Sequence, residues 1–102
     1  MLAGGSASVD SNVLTEVVSY TNSSGSAQRV NLIFASGQVS GCFKVTIGTD
    51  VVIEEYRTNP SQRTMVAGPK ANWNLPAGDT IKVEVLHDQS GTKTFTAAIS
   101  GR

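Results

Sequence analysis

The chain has 102 residues, eight basic and eight acidic side chains, a formal net charge of zero, and only 16% charged residues. That length bounds it to one domain, large enough to bury a core without metal or disulfide support. The charge balance excludes the basic footprint of a nucleic-acid binder and of attachment to anionic lipid, while a weakly charged surface promotes association. Residues 1–12 are small and polar without periodicity, so they are expected to be a flexible arm. They carry no basic, apolar segment of signal length, and no stretch approaches the ~20 apolar residues of a membrane helix. The expectation is a protein made in a cytoplasm that stays soluble until it assembles with a partner.

From Val13 onward the period is two. Residues 13–20 read as a first strand with apolar side chains on both faces, and the Thr-Asn-Ser-Ser-Gly-Ser run at 21–26 as a loop. Residues 28–35 form a second strand, with Val30, Leu32 and Phe34 aligned on one face as the expected core trio. Residues 42–47 alternate again, with Phe43, Val45 and Ile47 inward. Gly48-Thr49-Asp50 is a hairpin connection into 51–57. Residues 63–67 are a short strand. Trp73 and Leu75 lie in an extended piece beyond Gly68-Pro69. Pro76-Ala77-Gly78-Asp79 is a turn, and residues 80–87 follow with Ile81, Val83 and Val85 on one face. Residues 93–100 close the chain, with Phe95, Ala97 and Ile99 aligned.

Seven or eight short strands at this spacing predict an all-β fold, a small antiparallel β-sandwich of jelly-roll or immunoglobulin-like order. The expected organisation is an arm over 1–12 and a sandwich over 13–102. An antibody-type domain is excluded, because Cys42 is the single cysteine and cannot pair around a Trp.

The residues offer little for catalysis. His87 is the one imidazole. It neighbours Asp88, but adjacent residues leaving a strand face apart, so His87 is expected at a partly exposed strand end. Glu54 and Glu55 point to opposite faces of a strand and cannot both face one cleft, as a glycosidase pair must. One His and one Cys make no soft-metal site, and Asp50, Asp79 and Asp88 lie on separate turns rather than clustering as Ca²⁺ ligands do. Arg57, Arg63 and Lys70 lack the aromatic interleaving of a nucleic-acid platform. No catalytic residue, cofactor or metal is expected. Cys42 is expected to act as a small apolar residue. Trp73, between Asn72 and Asn74, is either a core lid, an interface anchor or a sugar-stacking platform.

The segment Leu75-Pro76-Ala77-Gly78-Asp79-Thr80-Ile81-Lys82-Val83 resembles the late turn and strand of trimeric jelly-roll heads, such as tumour-necrosis-factor-like and complement-type globular heads, and of phage β-structural proteins. The whole profile is small, disulfide-free, rich in Gly, Ser and Thr, and built of strands. In this it resembles tailed-phage capsid decoration (cement) proteins. The resemblance implies a non-enzymatic virion protein that binds the major capsid protein at the capsid surface as a homotrimer and stabilises the shell. Met1, Leu2, Ala3 and Val9 of the arm, with Trp73, are the expected interface. The alternative is a carbohydrate-binding or adhesion module working through Trp73.

Overall fold

The computed structural model describes residues 2–57, 64–67 and 73–101. Every regular element among them is a strand: β1 (Ala3–Val9), β2 (Thr15–Thr21), β3 (Gln28–Gly37), β4 (Cys42–Ile47), β5 (Asp50–Arg57), β6 (Thr64–Ala67), β7 (Trp73–Leu75), β8 (Thr80–Leu86) and β9 (Lys93–Gly101). They make two antiparallel sheets, with β1-β9-β3-β6 in sheet A and β2-β8-β4-β5 in sheet B. Ala67 of β6 pairs with Ile33, and Trp73 of β7 with Val30, so β6 and β7 are two pieces of one edge strand along β3. Counted that way, the sandwich has eight strands. The first pairs with the last, the second with the next to last, and so inward to the β4–β5 hairpin. This nested pairing is the winding of a jelly roll. The choice left open between jelly-roll and immunoglobulin-like order falls to the former.

Alternation places the core between the sheets. Phe43, Val45 and Ile47 of β4, Ile81, Val83 and Val85 of β8, and Phe95, Ala97 and Ile99 of β9 are all buried. Phe95 is the hub. Its ring meets Phe43 edge-on, with centroids 6.0 Å apart and planes at 73°, a geometry favoured by the ring quadrupoles. Gly37 lies opposite it in β3. A Cβ on Gly37 would come within 2.2 Å of the Phe95 ring, so the ring occupies the space that glycine leaves.

The expected trio on β3 is corrected. Val30 is buried, but the inward set continues with Ile33 and Ala35, while Leu32 and Phe34 are half-buried on the outer face. The cause is a bulge. Val30 pairs with Gly101 and Leu32 with the adjacent Ser100, which leaves Asn31 unpaired. One extra residue reverses the facing of everything after it. A similar irregularity between Glu16 and Val18 in β2 lets Val17 and Val18 both be buried. Bulges in the β4–β5 ladder likewise shift β5, an edge strand, so that Val52 and Ile53, neighbours in sequence, both pack against the core.

Residues 1–12 also differ from expectation. Ala3–Val9 is not a free arm but an edge strand paired with β9 along its whole length, from Ala3↔Ile99 to Val9↔Lys93. Its small inward residues fit a narrow gap: a Cβ on Gly5 would stand 2.6 Å from the Val17 carbonyl oxygen of β2. Small side chains that look structureless in sequence are here what lets the two sheet edges close on each other.

Candidate interaction surface

Two buried polar side chains pin the loops at opposite ends of the sandwich. Asn22 follows β2 and is fully buried. Its Nδ2 donates to the carbonyls of Ser26 and Leu75, both at 2.9 Å, and its Oδ1 accepts from the backbone N–H and the hydroxyl of Ser24. Its own backbone exchanges hydrogen bonds with the β7–β8 turn, donating to the Asp79 carbonyl and accepting from Gly78. Asn22 thus uses all its side-chain capacity and ties the β2–β3 loop to β7. Nothing in the polar run at 21–26 marks it out from its neighbours.

His87 corrects the expectation of a partly exposed strand end: it is buried and stacked on Phe95 with centroids 5.6 Å apart. The Gln89 N–H donates to Nδ1, so Nε2 carries the ring proton and donates to the Val9 carbonyl at 2.7 Å. The Asn12 N–H donates to the His87 carbonyl, and Thr92 Oγ1 donates to Asp10 Oδ1. His87 is therefore a structural clamp holding the end of β1. The signal was present in the sequence, since His87 continues the inward series Ile81, Val83, Val85.

The expected interface residues sit in three situations. Met1 lies outside the described residues. Val9 is fully buried in the core, so it is not available as a contact, because its position in β1 turns it between the sheets. Leu2, Ala3 and Trp73 are half-buried and packed against the core. Trp73 pairs with Val30, which in turn pairs with Gly101, and the Leu2 N–H donates to the Ile99 carbonyl. Leu2 and Trp73 therefore close the same end of sheet A from opposite edges, with Val30 and Gly101 between them. Trp73 faces the same side as the buried Val30 and Leu75, which makes it a lid on the core rather than an outward platform. Cys42 is in no disulfide and is half-buried on the outer face of sheet B, beside Leu86 of β8. The side chains of Glu54, Glu55 and Arg57, and the segments 58–63 and 68–72 with Arg63 and Lys70, lie outside the described residues. Among the described residues no three His, Cys, Asp or Glu side chains gather.

The outer faces of the two sheets differ in chemistry. On sheet B, register places Glu16, Glu84 and Lys44 in one row and Ser19, Lys82 and Thr46 in the next. Lys82 Nζ lies 3.7 Å from Glu84 Oε1. This is an ordinary solvated face. Among the described residues the outward set on sheet A is Gly4, Ser6 and Ser8 of β1, then Thr94, Thr96, Ala98 and Ser100 of β9, then Leu32, Phe34 and Ser36 of β3. None carries charge. Arg29 stands beyond the bulge at one end of the face. The Ser36 and Thr96 hydroxyls bond each other at 2.7 Å, which satisfies part of the face internally. Beside them lies an open depression of about 200 Å³ lined by Phe34, Ala35, Ser36, Thr96, Ala97 and Ala98. Of its three alanines only Ala98 is on the outer face; Ala35 and Ala97 turn into the core and form its floor.

No protein-family model, curated protein sequence or solved structure matches this chain.

Proposed function

We propose that the protein is a non-enzymatic structural component of a virion, a decoration protein that binds the major capsid protein at the capsid surface as a homotrimer and stabilises the shell. The observation that carries this reading is the contrast between the two sheet faces. Among the described residues the outer face of sheet A is uncharged apart from Arg29 at its end, opposite an ordinary charged face on sheet B, and it shares with interface centres the depletion of charged residues. The two-layer jelly-roll winding supports it at the level of architecture, since that winding serves in viral shells among other settings.

Magnitudes favour a multimer. Three strands of about seven residues give a face roughly 14 Å by 24 Å, or about 340 Å². That is well short of the ~800 Å² per partner of a stable interface. Three such faces held together reach roughly 1,000 Å², and linking them turns later contacts into intramolecular events. A single copy would bind a shell weakly and three would bind it firmly.

The carbohydrate reading requires Trp73 to stand in an exposed groove. Its inward orientation and packing against the core weigh against that role. The deciding experiment is co-sedimentation of the purified protein with capsid shells lacking it. Saturable binding to shells supports the reading. No binding to shells, with retention on a glycan array that Trp73→Ala abolishes, would replace it with the sugar-binding alternative.

A further inference from the structure

The N-terminal strand is built as a detachable piece. It is an edge strand with one neighbour in its sheet, β9. Its inward side chains Ala3, Gly5 and Ala7 are small, and only Val9 is a large buried residue. The strand's attachment therefore rests on backbone pairing, on Val9, and on the His87 clamp at the Val9 carbonyl. All of these can be made equally well by the same strand arriving from another molecule.

The connection to β2 is short and carries a modest backbone cost at one residue. Residues 10–14 must reverse the chain from sheet A to sheet B. They do so in a turn closed by Val13 N–H to the Asp10 carbonyl at 3.2 Å. Asn12 occupies the third position with φ 61°, the one non-glycine residue with positive φ among those described. That region is disfavoured for side chains bearing a Cβ, least so for Asn, and glycine alone adopts it without steric cost. Immediately after it, Val13 and Leu14 are 51% and 45% exposed. An apolar pair is thus held in water directly at the bend.

We propose that β1 is exchanged between copies of this chain, each supplying the strand that completes its neighbour's sheet A. Opening the turn at residues 10–13 releases Asn12 from the left-handed region and extends the connection. It also brings Val13 and Leu14 against the same pair of the neighbouring copy. Every β1–β9 hydrogen bond and the His87 clamp are kept, now between molecules. Short hinge loops under strain are the general setting for such swaps, and the balance against association entropy shifts toward exchange as copies are concentrated. The inference does not depend on the capsid reading, because it concerns contacts between copies alone.

The test asks which molecule supplies β1. Ser6 and Thr96 are direct partners on the outer face. Antiparallel partners have Cα atoms about 4.5–5.5 Å apart, inside the range a disulfide spans. In a Cys42→Ser background, a size-tagged Ser6→Cys protein is unfolded together with a Thr96→Cys protein, refolded at high concentration and oxidised. Exchange predicts a mixed disulfide between the two on a non-reducing gel. The doubly substituted Ser6→Cys/Thr96→Cys protein then gives products of more than one chain. Asn12→Gly, which adopts positive φ freely, lowers the interchain share. The proposal is overturned when the mixed disulfide is absent while the doubly substituted protein closes its disulfide within one chain. An interchain share that Asn12→Gly leaves unchanged overturns the backbone cost at Asn12 as the cause of exchange.

Discussion

Deleting the same aromatic ring from the two faces of sheet A separates the observed register from the one that unbroken alternation would impose. Phe95 is fully buried, stacked on His87, edge-on to Phe43, and seated over Gly37. Phe95→Ala removes about 1.5–3 kcal/mol of transfer free energy. It also leaves a cavity between two sheets that cannot collapse, which brings such substitutions to about 3–5 kcal/mol. Loss of the aromatic contacts contributes about 0.5–1.5 kcal/mol more. Phe34 is half-buried on the outer face beside an open depression. Phe34→Ala loses roughly half the transfer term and leaves no closed cavity, so about 1 kcal/mol is expected. A domain of this size is stable by about 5–15 kcal/mol in all, so the two variants differ by a large part of the total. Urea unfolding followed by Trp73 fluorescence measures both, and the melting temperatures should part by more than about 8 °C, since each kcal/mol moves a 100-residue domain by about 4–8 °C. Equal losses, or a larger loss for Phe34→Ala, would refute the bulge at Asn31 and restore the unbroken alternation.

Gly37→Ala should destabilise by about 1–3 kcal/mol, because its Cβ collides with the Phe95 ring and the core must overpack; thermal unfolding checks it. Asn22→Ala strands the buried Leu75 carbonyl and frees the 22–26 loop, costing about 1–3 kcal/mol; hydrogen exchange at Ser24 and Gly78 should rise with it. Removing residues 1–9 takes Val9 out of the core and unpairs the β9 edge, so the loss should exceed the ~1.5–3 kcal/mol of one buried valine, as read by denaturant titration. Cys42→Ser should change stability by less than about 1 kcal/mol and leave any assembly intact, since the thiol is half-buried on a sheet face away from the core; size-exclusion chromatography with light scattering reads this.

Legibility in the sequence tracked side-chain size. β4, β8 and β9 alternate large apolar and polar residues, and their inward sets stand where the period of two puts them. β3 alternates as clearly, yet its inward set fails after Val30, because a bulge adds a residue without adding any compositional mark. β1 was illegible for a different reason. Ala, Gly and Ser have low strand propensity, and their conformation here is imposed by the β9 ladder and the closeness of β2. The uncharged face of sheet A could not be seen until register fixed which residues of three strands share it. Unbroken alternation puts Phe34 in the core, and the lack of periodicity puts Ser6 and Ser8 in an arm. Asn22 is an ordinary loop residue until its four bonds are traced.

The role assigned to that face is tested most directly by placing a charge on it. Ala98→Lys puts an ammonium at the centre of the outer face of sheet A, and Ser19→Lys puts the same charge on the outer face of sheet B as a control. Both variants should fold and keep the oligomeric state of the parent protein. In co-sedimentation with capsid shells lacking the protein, Ser19→Lys should bind like the parent and Ala98→Lys should lose binding by a factor of ten or more, about 1.4 kcal/mol or above. Parent-like binding of a folded Ala98→Lys protein would contradict the account.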